Sequence, residues 1–93
     1  DCHDMCSLRA QIDRMDAELI ALLVERAGYI DRAVYIKKGN GLPARITPRV
    51  QEVIANVRRL AGEQGVDPDL AELLWSQLIE WSIQREAKHI PEG

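Results

Sequence analysis

The 93 residues carry a net charge of -3, with 46% apolar and 29% charged side chains, which bounds the chain to one globular domain, neither disordered nor membrane-embedded. An acidic balance argues against a general nucleic-acid binder, although a local basic pocket can still sit inside an acidic protein and focus anions. No apolar run approaches the roughly 20 residues that a membrane span needs, so neither membrane nor nucleic acid is expected as a partner and the cytoplasm is the default location.

Phe is absent, so the core must come from Leu, Ile, Val and Ala, a mix that favours helices. Cys2 and Cys6 lie one turn apart if the N-terminus is helical. No second His/Cys cluster completes a metal site, and two reduced cysteines in a frayed segment are the simpler reading. No metal or cofactor is expected.

The first helix is predicted over about residues 6–38, free of Pro and with Gly28 as its only interior Gly. The run Gly39-Asn40-Gly41-Leu42-Pro43 ends it. Its apolar positions Leu8, Ile12, Met15, Leu19 and Leu22 alternate in steps of four and three, a coiled-coil-like seam. Such a rod is roughly 45–50 Å long, whereas a compact chain of this size has a radius of gyration of only about 12–13 Å. The other helices are shorter, so the expected partner is the same helix of a second copy, in an intertwined homodimer.

The next seam position is Arg26, followed by Tyr29, Ala33 and Ile36. A guanidinium facing a core needs a buried carboxylate, a snorkelling route to water, or an anionic ligand. Lys37 lies eleven residues on, about three turns, so it projects from the same face at roughly 16 Å along the axis. Arg9 is too far from Arg26 to reach it on one helix, but in an antiparallel pair it could meet the Arg26 of the other copy; alone it reads as a surface arginine.

The second helix is predicted over about 48–62, with Thr47 as N-cap, Pro48 in the first position and Gly62-Glu63-Gln64-Gly65 closing it. Arg49 stands in its first turn. The third is predicted over about 68–90, with Asp67 as N-cap, Pro68 after it and Pro91 beyond its end. Trp75, Ile79, Ile83 and Ile90 form one stripe that also holds Ser82 and Glu86. A glutamate there either pairs with a cation or carries a proton and donates a hydrogen bond. Neither a Ser/His/Asp arrangement nor a phosphate loop is present, and His3 and His89 lie near the two ends. Any chemistry must rest on positioning and charge stabilisation.

Leu8-Arg9-x-x-Ile12-Asp13-x-x-Asp16, then Leu22-Leu23-x-Glu25-Arg26, then Lys37, resembles the first helix of the all-helical chorismate mutases, a family that includes the isochorismate–pyruvate lyases. The resemblance runs from about Ser7 to Ile90, through Arg49 and the Gln77-to-Ile83 stretch. It implies an all-α, three-helix chain in an intertwined homodimer that converts chorismate to prephenate by a pericyclic rearrangement, a step of aromatic amino acid biosynthesis. By position, Arg26 and Arg49 of one protomer and Arg9 of the other would bind the carboxylates of a small dicarboxylate substrate. Lys37 and a protonated Glu86 would donate to the ether oxygen, and Ser82 would line the pocket. Two positions depart from the pattern: Val50 stands where many mutases carry a carboxylate for the ring hydroxyl, and Ile46 where an acidic residue is frequent. An apolar residue at position 50 also resembles the lyase branch, which yields salicylate and pyruvate from isochorismate. A non-catalytic helical dimerisation or ligand-sensing module is the alternative from another class.

Overall fold

The computed structural model describes residues 3–93 as three α-helices and, among those residues, no strand: α1 (His3–Gly39), α2 (Thr47–Gln64) and α3 (Pro68–Glu86). Cys2 lies outside the described residues. Contacts divide the chain into two compact units, Asp1–Ile30 and Asp31–Gly93. Among the described residues, no helix is long and apolar enough to cross a membrane.

The first unit is the bulk of α1. Every described residue from 4 to 25 is exposed. The expected seam is there, but bare: Leu8 is 53%, Leu19 56% and Leu22 61% exposed. An isolated helix is marginal in water, and most helical stability in proteins comes from packing an apolar face. Cys6 is exposed as well.

The second unit holds a core. Val34, Ala44, Ile79, Ile83 and Ile90 are buried together, with Val50, Val53, Ile54 and Trp75 packed against them. A smaller cluster of Val57, Ala61 and Ala71 shares Val53 and Trp75 with it. In α2 the core residues fall at positions 50, 53, 54, 57 and 61, one face of a 3.6-residue helix. In α3 the stripe read from the sequence is the buried face: Ile79, Ser82, Ile83 and Glu86 are all buried, and Trp75 is half-buried. The seam of α1 does not continue as expected. Val34 is the buried residue of its last turns, whereas Ile36 is 56% exposed. Val34 lies three residues before Lys37, so the two share a face.

The helix ends show why the boundaries moved. Gly41 and Gly65 take positive φ, 67° and 83°. Each is followed by an amide that reaches back to a carbonyl five residues earlier, Leu42 to Lys37 and Val66 to Ala61, both at 2.8 Å. A residue with a Cβ resists that left-handed conformation, so Gly65 rather than Gly62 ends α2. Thr47 is not the N-cap of α2. Ile46 holds that place in extended conformation, without a side-chain cap, and its carbonyl accepts from Arg49 N at 3.0 Å and Val50 N at 3.1 Å. Pro48 has no N–H to satisfy, so the missing cap leaves one fewer orphan donor. Asp67 caps α3 as expected, its carboxylate accepting from Asp69 N at 2.9 Å.

α3 stops at Glu86, four residues short of the Ile90 expected from the sequence. The chain turns through residues 87–89 and runs back beside the α1–α2 loop, where Ala44 N donates to Pro91 O at 2.8 Å and Arg45 N to Glu92 O at 2.5 Å. A helix continued to Ile90 would turn these carbonyls away from the loop.

Candidate active site

The fold of the second unit brings the last turn of α1 to the last residue of α3. Lys37 Nζ donates to Glu86 Oε1 at 2.7 Å and to Ala44 O, in the α1–α2 loop, at 2.8 Å. Forty-nine residues separate Lys37 from Glu86 in sequence. Their side chains are only 18% and 5% exposed. Ser82, one turn before Glu86 and equally buried at 4%, donates through Oγ to Leu78 O at 2.8 Å. Ser82 and Glu86 thus share one face of α3.

A buried ion pair does little for stability, because desolvating two charges offsets most of their attraction. An apolar pair would close this core as well. What the pair does provide is a cation at a fixed point in a partly dry setting. An ammonium has three N–H donors. Among the described residues two of them meet Glu86 and Ala44, which leaves one for an incoming oxygen. Such a group stabilises negative charge that develops on an acceptor during reaction.

Of the six site residues expected from the sequence, the structure brings three together: Lys37, Ser82 and Glu86. The expected donation from Glu86 is not the contact seen, since Glu86 accepts from Lys37. Arg49 opens α2 as predicted, but its side chain is 68% exposed and pairs with Glu52 one turn on. Arg9, exposed, and Arg26, half-buried, belong to the first unit.

Two features escaped the sequence reading. One is Ala44, 3% exposed, whose carbonyl fixes Lys37. A backbone acceptor carries no residue-type signal. The other is Arg45, whose guanidinium meets Glu80 Oε2 at 2.9 Å and Glu92 Oε2 at 3.4 Å. Its hydrogen bond holds the Glu80 carboxyl below the usual carboxylate range, and Glu80 in turn raises Arg45. On another side of α3, Arg85 grips Asp31 with two bonds, Nε to Oδ1 at 2.6 Å and a terminal nitrogen to Oδ2 at 2.9 Å, while lying 5.3 Å from the centre of the Trp81 ring. The Arg85 hydrogen bonds lower the Asp31 pKa.

A family model described as chorismate mutase type II matches residues 8–87, a span that runs from before Arg9 to beyond Glu86. The chain is 31% identical over 90 residues to the isochorismate pyruvate lyase of Pseudomonas aeruginosa, covering 96% of this chain and 87% of that protein. It is 29% identical to the 4-amino-4-deoxychorismate mutase of Streptomyces pristinaespiralis, over 94% of this chain and 67% of that one. It is 24% identical to the chorismate mutase of Methanocaldococcus jannaschii, over 95% and 89%.

Proposed function

The chain belongs to the type II chorismate mutase family, and from that premise we propose that it rearranges chorismate to prephenate in sites shared between two copies of the chain. The observation that carries the reading is the buried Lys37–Glu86 pair at 2.7 Å, with one Lys37 N–H left to donate.

The rearrangement needs no nucleophile. The enolpyruvyl side chain must be folded over the ring, and the ether oxygen gains negative charge as its C–O bond breaks. Guanidinium–carboxylate forks fix the two carboxylates. Arg26 and Arg49 of one protomer and Arg9 of the other take that role in this reading. Arg49 would exchange Glu52 for the substrate, a small movement for an exposed side chain. Lys37 donates to the ether oxygen. Glu86 joins it when protonated, and Ser82 lines the floor. Fixing both reactive ends lowers the entropic part of the barrier, and the aimed donors supply the electrostatic part.

The exposed seam of α1 supports the homodimer. Leu8, Ile12, Met15, Leu19 and Leu22 are each about half exposed, and an antiparallel copy of the same helix covers such a seam with its own apolar residues. The cytoplasm is the compartment this reading assumes.

Val50 favours a second reading. It is half-buried and packs on the core, so no carboxylate stands there for a ring hydroxyl, and a relative covering nearly the whole chain is an isochorismate pyruvate lyase. The same cationic groups suit elimination of pyruvate from isochorismate. Purified protein is offered each substrate separately and the products are identified. Prephenate from chorismate supports the mutase; salicylate and pyruvate from isochorismate, with no prephenate, establishes the lyase instead. Inertness toward both sinks the enzymatic reading.

A further inference from the structure

Lys37 is held by two acceptors of different kinds. Glu86 is on a helix, backed by the core. Ala44 is in the loop between α1 and α2, and its carbonyl can hold an ammonium only if the loop is itself held. The structure shows what holds it. The Ala44 and Arg45 amides donate to the Pro91 and Glu92 carbonyls. Over these two bonds lies a side-chain layer: Arg45 meets Glu80 and Glu92, and Gln84 Nε2 donates to Glu80 Oε2 and to Glu92 Oε1, each at 2.9 Å. Loop, α3 and the returning 90–92 segment are thereby joined at one point, next to the peptide that bonds Lys37.

We propose that Arg45 is a positioning residue for Lys37: with Glu80 and Glu92 it clasps the Ala44–Arg45 segment to the Pro91–Glu92 segment, and so keeps the Ala44 carbonyl on the Lys37 ammonium. The Ala44 methyl packs in the core but offers no polar group to fix the direction of its own peptide. Arg45 is the adjacent residue, and one terminal nitrogen of its guanidinium meets both carboxylates, Glu80 at 2.9 Å and Glu92 at 3.4 Å. Its partners lie on α3 and on the 90–92 segment, the two elements that the loop must stay beside. With the clasp closed, the third Lys37 N–H points in one direction. With it open, Lys37 keeps Glu86 alone and its head group can swing about that single bond.

The proposal rests on the catalytic reading of Lys37, so its test pairs an activity with a measurement that needs no activity. In Arg45→Ala, kcat on chorismate is expected to fall on the order of ten-fold, with KM within about two-fold, since a loosened catalytic group slows the reaction more than it weakens binding. The Lys37 ammonium should give a sharp proton–nitrogen correlation in the wild type, where two acceptors slow its exchange, and a broadened one in the variant. Arg45→Lys, which keeps the charge but not the fork, should recover part of both. Arg45→Ala combined with Glu80→Ala should be little worse than either alone, as for partners in one device. If Arg45→Ala fails to fold by circular dichroism, Glu92→Gln, which keeps shape and removes charge, provides the same two readouts. A folded variant with wild-type kcat and an unchanged Lys37 signal overturns the proposal, as does a raised KM at constant kcat. Full activity in Lys37→Ala would instead overturn the catalytic reading, while the ammonium signal still reports whether the clasp exists.

Discussion

The two units of this chain solve opposite problems. Residues 31–93 build a buried core and close a charged pair beside it, Lys37 to Glu86, with Ala44 and the Arg45 layer behind. Residues 4–25 bury nothing: the seam from Leu8 to Leu22 lies open along one side of a continuous helix. One region holds a buried core and carries the candidate catalytic cation, although Leu73, Leu74 and Trp81 within it stay half exposed; the other has an apolar seam with nothing packed on it. In the proposed reading, Arg9 and Arg26 belong to the first unit and Lys37 and Arg49 to the second.

The difference can be broken most severely at the open seam. Leu19→Glu places a charge in the middle of the proposed helix–helix contact, where burial of an unpaired carboxylate is costly. Light scattering should give about twice the 10.5 kDa chain mass for the wild type and the single-chain mass for the variant, with loss of all turnover. A wild-type chain that is folded and monomeric would remove the dimer and the shared role of Arg9 together.

Within the closed unit the largest effect is expected at Lys37. Lys37→Ala should lower kcat on the order of a hundred- to thousand-fold, the usual cost of removing one aimed donor, with circular dichroism unchanged. Near-normal turnover in a folded variant takes Lys37 out of the mechanism. Glu86→Gln should do less. The amide keeps both a donor and an acceptor for Lys37, so activity should persist within a few-fold. A folded but inert Glu86→Gln contradicts that role.

The smallest effect belongs to Asp31 and Arg85. The hydrogen bonds from Arg85 depress the Asp31 pKa, so the stabilisation is present above the usual carboxylate value of about 3.9 and is lost as pH falls through the lower, folded value. Asp31→Asn should reduce Tm slightly at neutral pH, and the gap from wild type should close in strong acid. Because the pair is exposed, salt should shrink the gap too. An equal difference at every pH would mean that the substitution acts through packing.

Much of this was legible because local rules and packing agreed. Asp67-Pro68 starts α3 where the pair of signals places it, and the Trp75–Ile79–Ile83 stripe with Ser82 and Glu86 is the buried face. Glu86 stood out because a charge on an apolar stripe needs a partner, and the cation that meets it is Lys37, which the sequence marked only by its sharing a face with Arg26. Where the reading slipped, one reason was local and one was not. Thr47 loses the cap position to Ile46 because the carbonyl of Ile46 accepts the first amides of α2. α3 ends early because residues 90–92 pair with a loop nearly fifty residues away, and Pro91 marked only where a helix could no longer continue. Ala44 and Arg45 gave no signal, since one acts through its backbone and the other looks like any surface arginine.

The proposed sharing of the site between two copies can be tested directly by mixing two impaired variants. Arg9→Ala and Lys37→Ala are each expected to be nearly inactive alone. When the two are unfolded together and refolded, half of the dimers should be mixed. Each of these should hold one site with an intact Arg9 from one copy and an intact Lys37 from the other, beside one site lacking both. Activity should then return to about a quarter of wild type, as two-fold symmetry requires. A mixture that forms mixed dimers by mass spectrometry and yet stays as inactive as its parents would contradict the shared site.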